Sequence, residues 1–155
     1  MDVATMLRAF CDAVERRDGA GFARLFCVDG VYHDVFYGAF AGRAAIAAMV
    51  DDRFHRDAAD FRWDMRDAVR GGDLLYAHYL FSYRSLLPEA AGRRVAFEGV
   101  AMMRLRDGLI AEYREVADVG PAFVELGFAP ERIAAIEARR GAALKARPEA
   151  ARHLR

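Results

Sequence analysis

Apolar residues recur along the chain in two alternating regimes, first at helical spacing and then with period two. Val3, Met6, Leu7, Phe10 and Val14 fall on one face of a helix. That helix is predicted to end near Arg17–Asp18, with Gly19 free to take a left-handed conformation just past it. Phe22, Leu25 and Phe26 suit the buried side of a second, short helix, and Val28-Asp29-Gly30 reads as a turn. Tyr32-His33-Asp34-Val35-Phe36-Tyr37-Gly38 then predicts a short strand and a glycine-bearing loop. From Gly42 to about His55 the spacing of Ile46, Met49, Val50 and Phe54 predicts a third helix. Arg43 lies in its first turn, where the helix dipole disfavours a cation; it is solvated, or it faces a carboxylate or an anion.

The next segments alternate with period two. From Phe61 to Val69, Phe61, Trp63 and Met65 share a face opposite Arg62, Asp64 and Arg66. Gly71-Gly72-Asp73 is a hairpin signal. The strand from Leu74 to Leu87 is apolar on both faces: Tyr76, His78, Leu80 and Ser82 on one, Ala77, Tyr79, Phe81 and Tyr83 on the other. Sliding its register by one residue exchanges those faces. Pro88 to Gly92 is a turn, and the strand from Arg94 to Arg106 sets Phe97, Gly99, Ala101 and Met103 together. Asp107-Gly108 is a strong hairpin turn. The last strand, Leu109 to Ala117, puts Tyr113 and Glu115 on one face and Glu112 and Arg114 on the other. Gly120-Pro121 breaks the pattern, a short helical piece ends at Gly127, and Pro130 suits the first position of a final helix carrying Ile133 and Ile136.

Helices followed by antiparallel strands on tight turns imply an α+β domain whose sheet buries its apolar face against the helices. A sheet curved around them makes a cone-shaped α+β barrel with a closed apolar end and an open mouth. The cone domain is expected over residues 1–128, with a C-terminal helix and basic tail over 129–155. That tail carries seven basic and three acidic residues, and reads as a solvated segment or a helix facing a dimer partner.

Composition narrows the function classes. The 155 residues hold 23 basic and 23 acidic side chains, so no general electrostatic grip on nucleic acid or an anionic membrane is expected. The tail has no aromatic residue to stack on bases. No apolar run is long enough to span a membrane, and the first residues lack signal-peptide features, so a cytoplasmic protein is expected. Cys11 and Cys27 show no metal spacing and read as reduced core thiols.

Asp34 stands among large apolar residues, where loss of solvation raises a carboxylate's pKa toward the range useful for proton transfer. The alternative is that Asp34 caps a turn or pairs with an arginine. In the cone, Tyr32, Asp34, Tyr76, His78, Tyr113 and Glu115 are expected to point inward, walled by Phe10, Val14, Trp63, Phe97 and Met103. Asp34 would be the general base, His78 a complementary acid, Tyr32 an oxyanion donor, and Glu115 a second acid/base or the partner that fixes His78's tautomer. Tyr76, Tyr113 and the wall residues would bind substrate. Asp34, His78 and Glu115 have no short-range metal-ligand spacing, and no cofactor or metal is implied.

Phe22 to Phe26, Val31-Tyr32-His33-Asp34, Gly38, Gly42 and Ala45-Ile46, followed by Arg106-Asp107-Gly108-Leu109-Ile110, Tyr113-Arg114-Glu115 and Asp118, carry a resemblance. Over roughly the first 120 residues the chain resembles the nuclear transport factor 2-like superfamily, in its SnoaL-like polyketide cyclase and ketosteroid isomerase branch. The resemblance implies a proton-shuttling base at Asp34, as in ketosteroid isomerase. The positions of that enzyme's oxyanion tyrosine and protonated aspartate correspond to Phe10 and Ala101, which cannot donate a hydrogen bond. Similarity to limonene epoxide hydrolase would match its tyrosine to Tyr32 and one aspartate to Glu115. Its arginine and second aspartate would fall at His78 and Leu80.

The expected function is cofactor-independent acid/base chemistry (isomerisation, cyclisation or dehydration) on a hydrophobic, oxygenated small molecule. The alternatives are a non-catalytic ligand-binding or dimerisation module and an epoxide hydrolase-like enzyme. A homodimer is expected, because Tyr79, Phe81 and Tyr83 would otherwise leave an apolar outer face in water.

Overall fold

A computed structural model describes residues 2–155. Helix α1 (Val3–Glu15) starts at Asp2, whose carboxylate accepts the Thr5 amide at 3.0 Å and the Thr5 hydroxyl at 2.6 Å. Its stripe of Met6, Leu7, Phe10, Cys11 and Val14 is buried. The left-handed residue after this helix is Arg17, with φ 57°, and not Gly19. Gly19 opens α2 (Gly19–Arg24) and is needed for another reason: a Cβ there would lie 2.4 Å from the Ala47 carbonyl. Phe26 belongs to the next strand and not to this helix.

Strand β1 (Phe26–Asp34) turns through residues 35–37 into β2 (Gly38–Ala41). Helix α3 (Arg43–Ala48) runs on into a π-helical stretch (Met49–Phe54) and a last short turn, α4 (His55–Asp57). Arg43 is half-buried, and its Nε donates to the Phe26 carbonyl at 2.9 Å. The long strands β3 (Ala58–Gly71), β4 (Leu74–Ser85), β5 (Arg94–Arg106) and β6 (Leu109–Asp118) follow, then α5 (Gly120–Glu125) and α6 (Pro130–Lys145). A 3-10 stretch, Pro148–His153, follows α6.

The six strands form one mixed, open sheet in the order β2-β1-β6-β5-β4-β3, parallel only between β1 and β6. Its concave face wraps α1, α2 and α3, so the fold is the expected α+β cone. Phe10, Val14, Phe22, Phe26, Met49, Met103 and Ile110 fill its closed end with 2% exposure or less. Cys11 and Cys27 are buried free thiols, and burial pushes the Cys11 thiol up to about 12. Among the described residues no helix is long and apolar enough to cross a membrane.

The faces of β4 are the reverse of the expected ones. Ala77, Tyr79 and Phe81 point inward, whereas Tyr76 and Leu80 are exposed on the outside. The cause is a β-bulge in β3 at Asp67, one of two in that strand; the other is at Asp60, and the two residues hold φ of 52° and 53°. The hairpin pairs Gly71 with Leu74. Continued without a bulge, that register would set Trp63 opposite Ser82. The bulge at Asp67 absorbs one residue, so Trp63 pairs with Phe81 and Met65 with Tyr79. Directly paired residues share a face, so the inward tryptophan draws Tyr79 and Phe81 in with it.

Candidate active site

A cavity of about 560 Å³ opens at the wide end of the cone. Two carboxylates stand on its wall. The parallel register that pairs Tyr32 with Tyr113 carries Asp34 and Glu115, each two residues further along, to adjacent inward positions. Neighbouring strands lie about 4.8 Å apart, so the two side chains share one site.

Asp34 ends β1. Its Oδ1 accepts the backbone amides of Phe36 and Tyr37 at 2.8 and 2.9 Å, so it caps the turn as well as lining the cavity. Both bonds fall on one oxygen, which leaves Oδ2 to meet a ligand. Burial dominates these two bonds and pushes the Asp34 carboxyl up to about 6. The residue keeps some accessible surface because it faces a cavity, yet protein surrounds it on all other sides.

Glu115 Oε2 accepts the Tyr79 hydroxyl at 2.6 Å and the Tyr113 hydroxyl at 3.1 Å. Burial pushes its carboxyl up to about 7; the Tyr79 hydrogen bond pulls it down, the Asp34 charge pushes it up, and the Tyr113 bond pulls it down again. Tyr79 reaches Glu115 from β4, across β5, because Gly99 stands between them. A Cβ on Gly99 would lie 2.7 Å from the Tyr79 oxygen. Tyr32 lines the cavity and stacks on Tyr113 with ring centroids 4.4 Å apart. The phenols of Tyr32, Tyr79 and Tyr113 are all held above the ordinary tyrosine range, first by burial and then by the Glu115 charge.

The walls are aromatic: Trp63, Phe97 and Phe81 on the sheet, Phe36 and Phe123 near the mouth. The Trp63 amide donates to Glu15 Oε1 at 2.8 Å, which ties β3 to α1. Its indole Nε1 is buried and has no hydrogen-bond partner among the described residues.

Of the expected site residues, Asp34, Glu115 and Tyr32 meet in the cavity, with Trp63 and Phe97 in its wall and Tyr113 directly behind Glu115. Phe10, Val14 and Met103 lie deeper, in the closed end, and support the wall without lining it. His78 and Tyr76 do not belong. His78 sits on the outer face and pairs with Glu98 at 3.1 Å, and Tyr76 is 41% exposed beside it. Both were displaced by the bulge at Asp67. His78 therefore cannot act as the complementary acid, and Glu115 does not orient it. Leu80 is on the same outer face, so the two epoxide hydrolase positions assigned to His78 and Leu80 lie outside the cavity. Tyr79 takes the place that sequence reasoning gave to His78. Its signal was its pairing position opposite Met65, in phase with Trp63. Among the described residues no group of three or more His, Cys, Asp or Glu side chains is disposed to hold a metal.

The sequence profile of the SnoaL-like domain matches residues 7–113, which span both cavity strands up to Tyr113. The chain belongs to the SnoaL-like domain family. No curated protein matches this SnoaL-like chain by sequence. Solved structures match its fold. One, from Catenulispora acidiphila, is a protein with a ketosteroid isomerase-like fold in complex with trimethylamine; it is 18% identical, covers 81% of this chain and 95% of its own, and has a TM-score of 0.72. A Shewanella putrefaciens protein, named as a candidate SnoaL-like polyketide cyclase, is 14% identical over 81% of this chain and 96% of its own, with a TM-score of 0.68. An epoxide hydrolase of M. tuberculosis similar to limonene epoxide hydrolase is 20% identical over 79% and 86%, with a TM-score of 0.64. At these identities the likeness concerns the SnoaL-like fold alone.

Proposed function

We propose that this protein is an enzyme of cofactor-independent acid/base chemistry, moving a proton on a hydrophobic, oxygenated small molecule. Isomerisation, cyclisation and dehydration all belong to that class. The observation that carries the reading is the pair of adjacent carboxyls in one aromatic cavity, raised to about 6 and about 7. Near neutral pH the pair shares its protons unequally, so one member can accept a proton while the other donates. Asp34, with Oδ2 unbonded, is the base that removes a proton from carbon next to a carbonyl. Protonated Glu115, positioned by Tyr79 and Tyr113, donates to the oxygen on which charge builds, and Tyr32 is the second donor within the same wall. The proton taken by Asp34 returns to another atom of the same substrate and the oxygen gives its proton back to Glu115, so no redox partner is needed.

The test is deuterium incorporation at the activated carbon of 2-tetralone in D2O. The protein should accelerate exchange, and Asp34→Asn should lose about 10²–10⁴-fold of the acceleration. Exchange no faster than buffer, or an unaltered rate in Asp34→Asn, sinks the assignment.

A second role rests on the outer face of the sheet. Tyr79, Phe81 and Tyr83, on which a dimer was expected, line the cavity instead. Val100 and Val116 pair on the outside at 40% and 67% exposure, beside exposed Tyr76 and Leu80. This face supports a homodimer built sheet to sheet. Light scattering at micromolar concentration should give twice the chain mass, and Val116→Arg should return the monomer.

A further inference from the structure

Helix α6 buries none of its residues fully, and only Ile133 and Ile136 pack partly against the core. Its sequence is therefore not explained by packing. It lies across the cavity mouth, and the positions it turns to the cavity are Arg132, Ile136, Arg139, Arg140 and Ala143. These recur at one-turn intervals, so one stripe of the helix faces inward. Three of the five are arginines.

Their partners differ. Arg132 lies 3.6 Å over the Phe128 ring and reaches Glu89 at 3.4 Å. Arg140 meets Glu137 of its own helix at 2.9 Å. Arg139 has no ion pair or side-chain hydrogen bond among the described residues. The third carboxylate of the lining, Asp57, is already bonded to Arg56 at 2.5 Å. The cavity thus carries both signs of charge, with carboxyls on the sheet wall and guanidinium groups on α6. A ligand with an anionic end is repelled by the carboxyl wall and held by the α6 arginines, which leaves its opposite, neutral end to face Asp34.

We propose that the natural ligand is amphipathic and anionic: an apolar, carbonyl-bearing body with a carboxylate (or a group of like charge) that docks on Arg139 and Arg140. This deepens the acid/base reading of the same cavity and rests on it for the orientation, though binding can be measured without turnover. Trp63 is the only tryptophan of the chain and lines the cavity, so its emission reports occupancy.

The experiment compares 2-naphthaleneacetate with 2-naphthaleneacetamide, near-isosteres differing in charge, by calorimetry and Trp63 fluorescence at low and high salt. The carboxylate should bind about 10-fold more tightly at low salt, and added salt should shrink that ratio. The double variant Arg139→Gln/Arg140→Gln should erase the preference while amide affinity stays within about 2-fold. Lys145→Gln, at the far end of the helix and outside the cavity lining, should leave the preference intact. Equal affinity for the two probes, no saturable carboxylate binding, or a preference that survives the double variant overturns the proposal. A preference seen without any 2-tetralone exchange upholds the anionic ligand and counts against the acid/base function. Exchange without a preference does the reverse.

Discussion

The hydroxyl of Tyr79 donates to Glu115 at 2.6 Å by lying across Gly99, the residue on the intervening strand that has no side chain. Three strands thus act together: β4 supplies the donor, β6 the acceptor and β5 the gap. A Cβ on Gly99 would also come within 2.5 Å of the Val116 carbonyl, which is backbone and cannot swing aside. Gly99→Ala should therefore destabilise the fold by about 1–3 kcal/mol and separate Tyr79 from Glu115. Chemical denaturation measures the first effect. A stability unchanged from the parent would show that the ladder between β5 and β6 yields easily.

Removing the Tyr79 hydroxyl isolates its electrostatic part. The bond stabilises ionised Glu115 and holds its carboxyl down against burial. Tyr79→Phe should move the Glu115 titration above about 7, read by NMR of carboxyl-labelled glutamate. The alkaline limb of any proton-transfer activity, where Glu115 loses its proton, should move with it. A midpoint that falls, or stays where it was, would contradict the hydrogen bond.

Asp34 and Glu115 also make stability depend on pH. Both hold their protons to higher pH when folded than their ordinary values of 3.8 and 4.5 allow. The folded state therefore binds more protons than the unfolded one across this window, and stability falls as pH rises. The loss from Asp34 runs from about pH 4 to about 6, and that from Glu115 from about 4.5 to about 7. Asp34→Asn keeps an acceptor for the Phe36 and Tyr37 amides, and Glu115→Gln keeps one for the two phenols. Each variant should melt a few degrees above the parent at pH 8, with the gain gone at pH 4. A constant difference at both pH values would place the effect in packing and not in charge.

The bulge at Asp67 sets which side chains the cavity receives. Its φ of 52° suits glycine better than aspartate. Asp67→Gly should be neutral or stabilising by up to about 1 kcal/mol, and Asp67→Val destabilising by about 1–2 kcal/mol. Deleting Ala68 removes the extra residue, forcing Tyr79 outward and His78 inward or unfolding β3; either way the Tyr79–Glu115 bond is lost. A deletion variant with parental stability and unaltered Glu115 titration would refute this account of the register.

The order of the main helices and long strands, the inward set of β5 and β6, and the meeting of Asp34 and Glu115 were legible in the residues alone. Those strands are bounded by short turns, Asp107-Gly108 above all, and their alternation between faces runs unbroken along the cavity stretch. Asp34 is both a turn cap and a buried carboxyl, because Oδ1 takes the two amides and leaves Oδ2 to the cavity. The face of β4 was settled by contacts between strands. Its two faces are almost equally apolar, so periodicity carried no preference, and one inserted residue on the neighbouring strand chose between them. That choice put Tyr79 in the site and left His78 outside. The position of α6 over the mouth was equally hidden, because a helix with three arginines on one stripe looks solvated until the cavity it faces is in place.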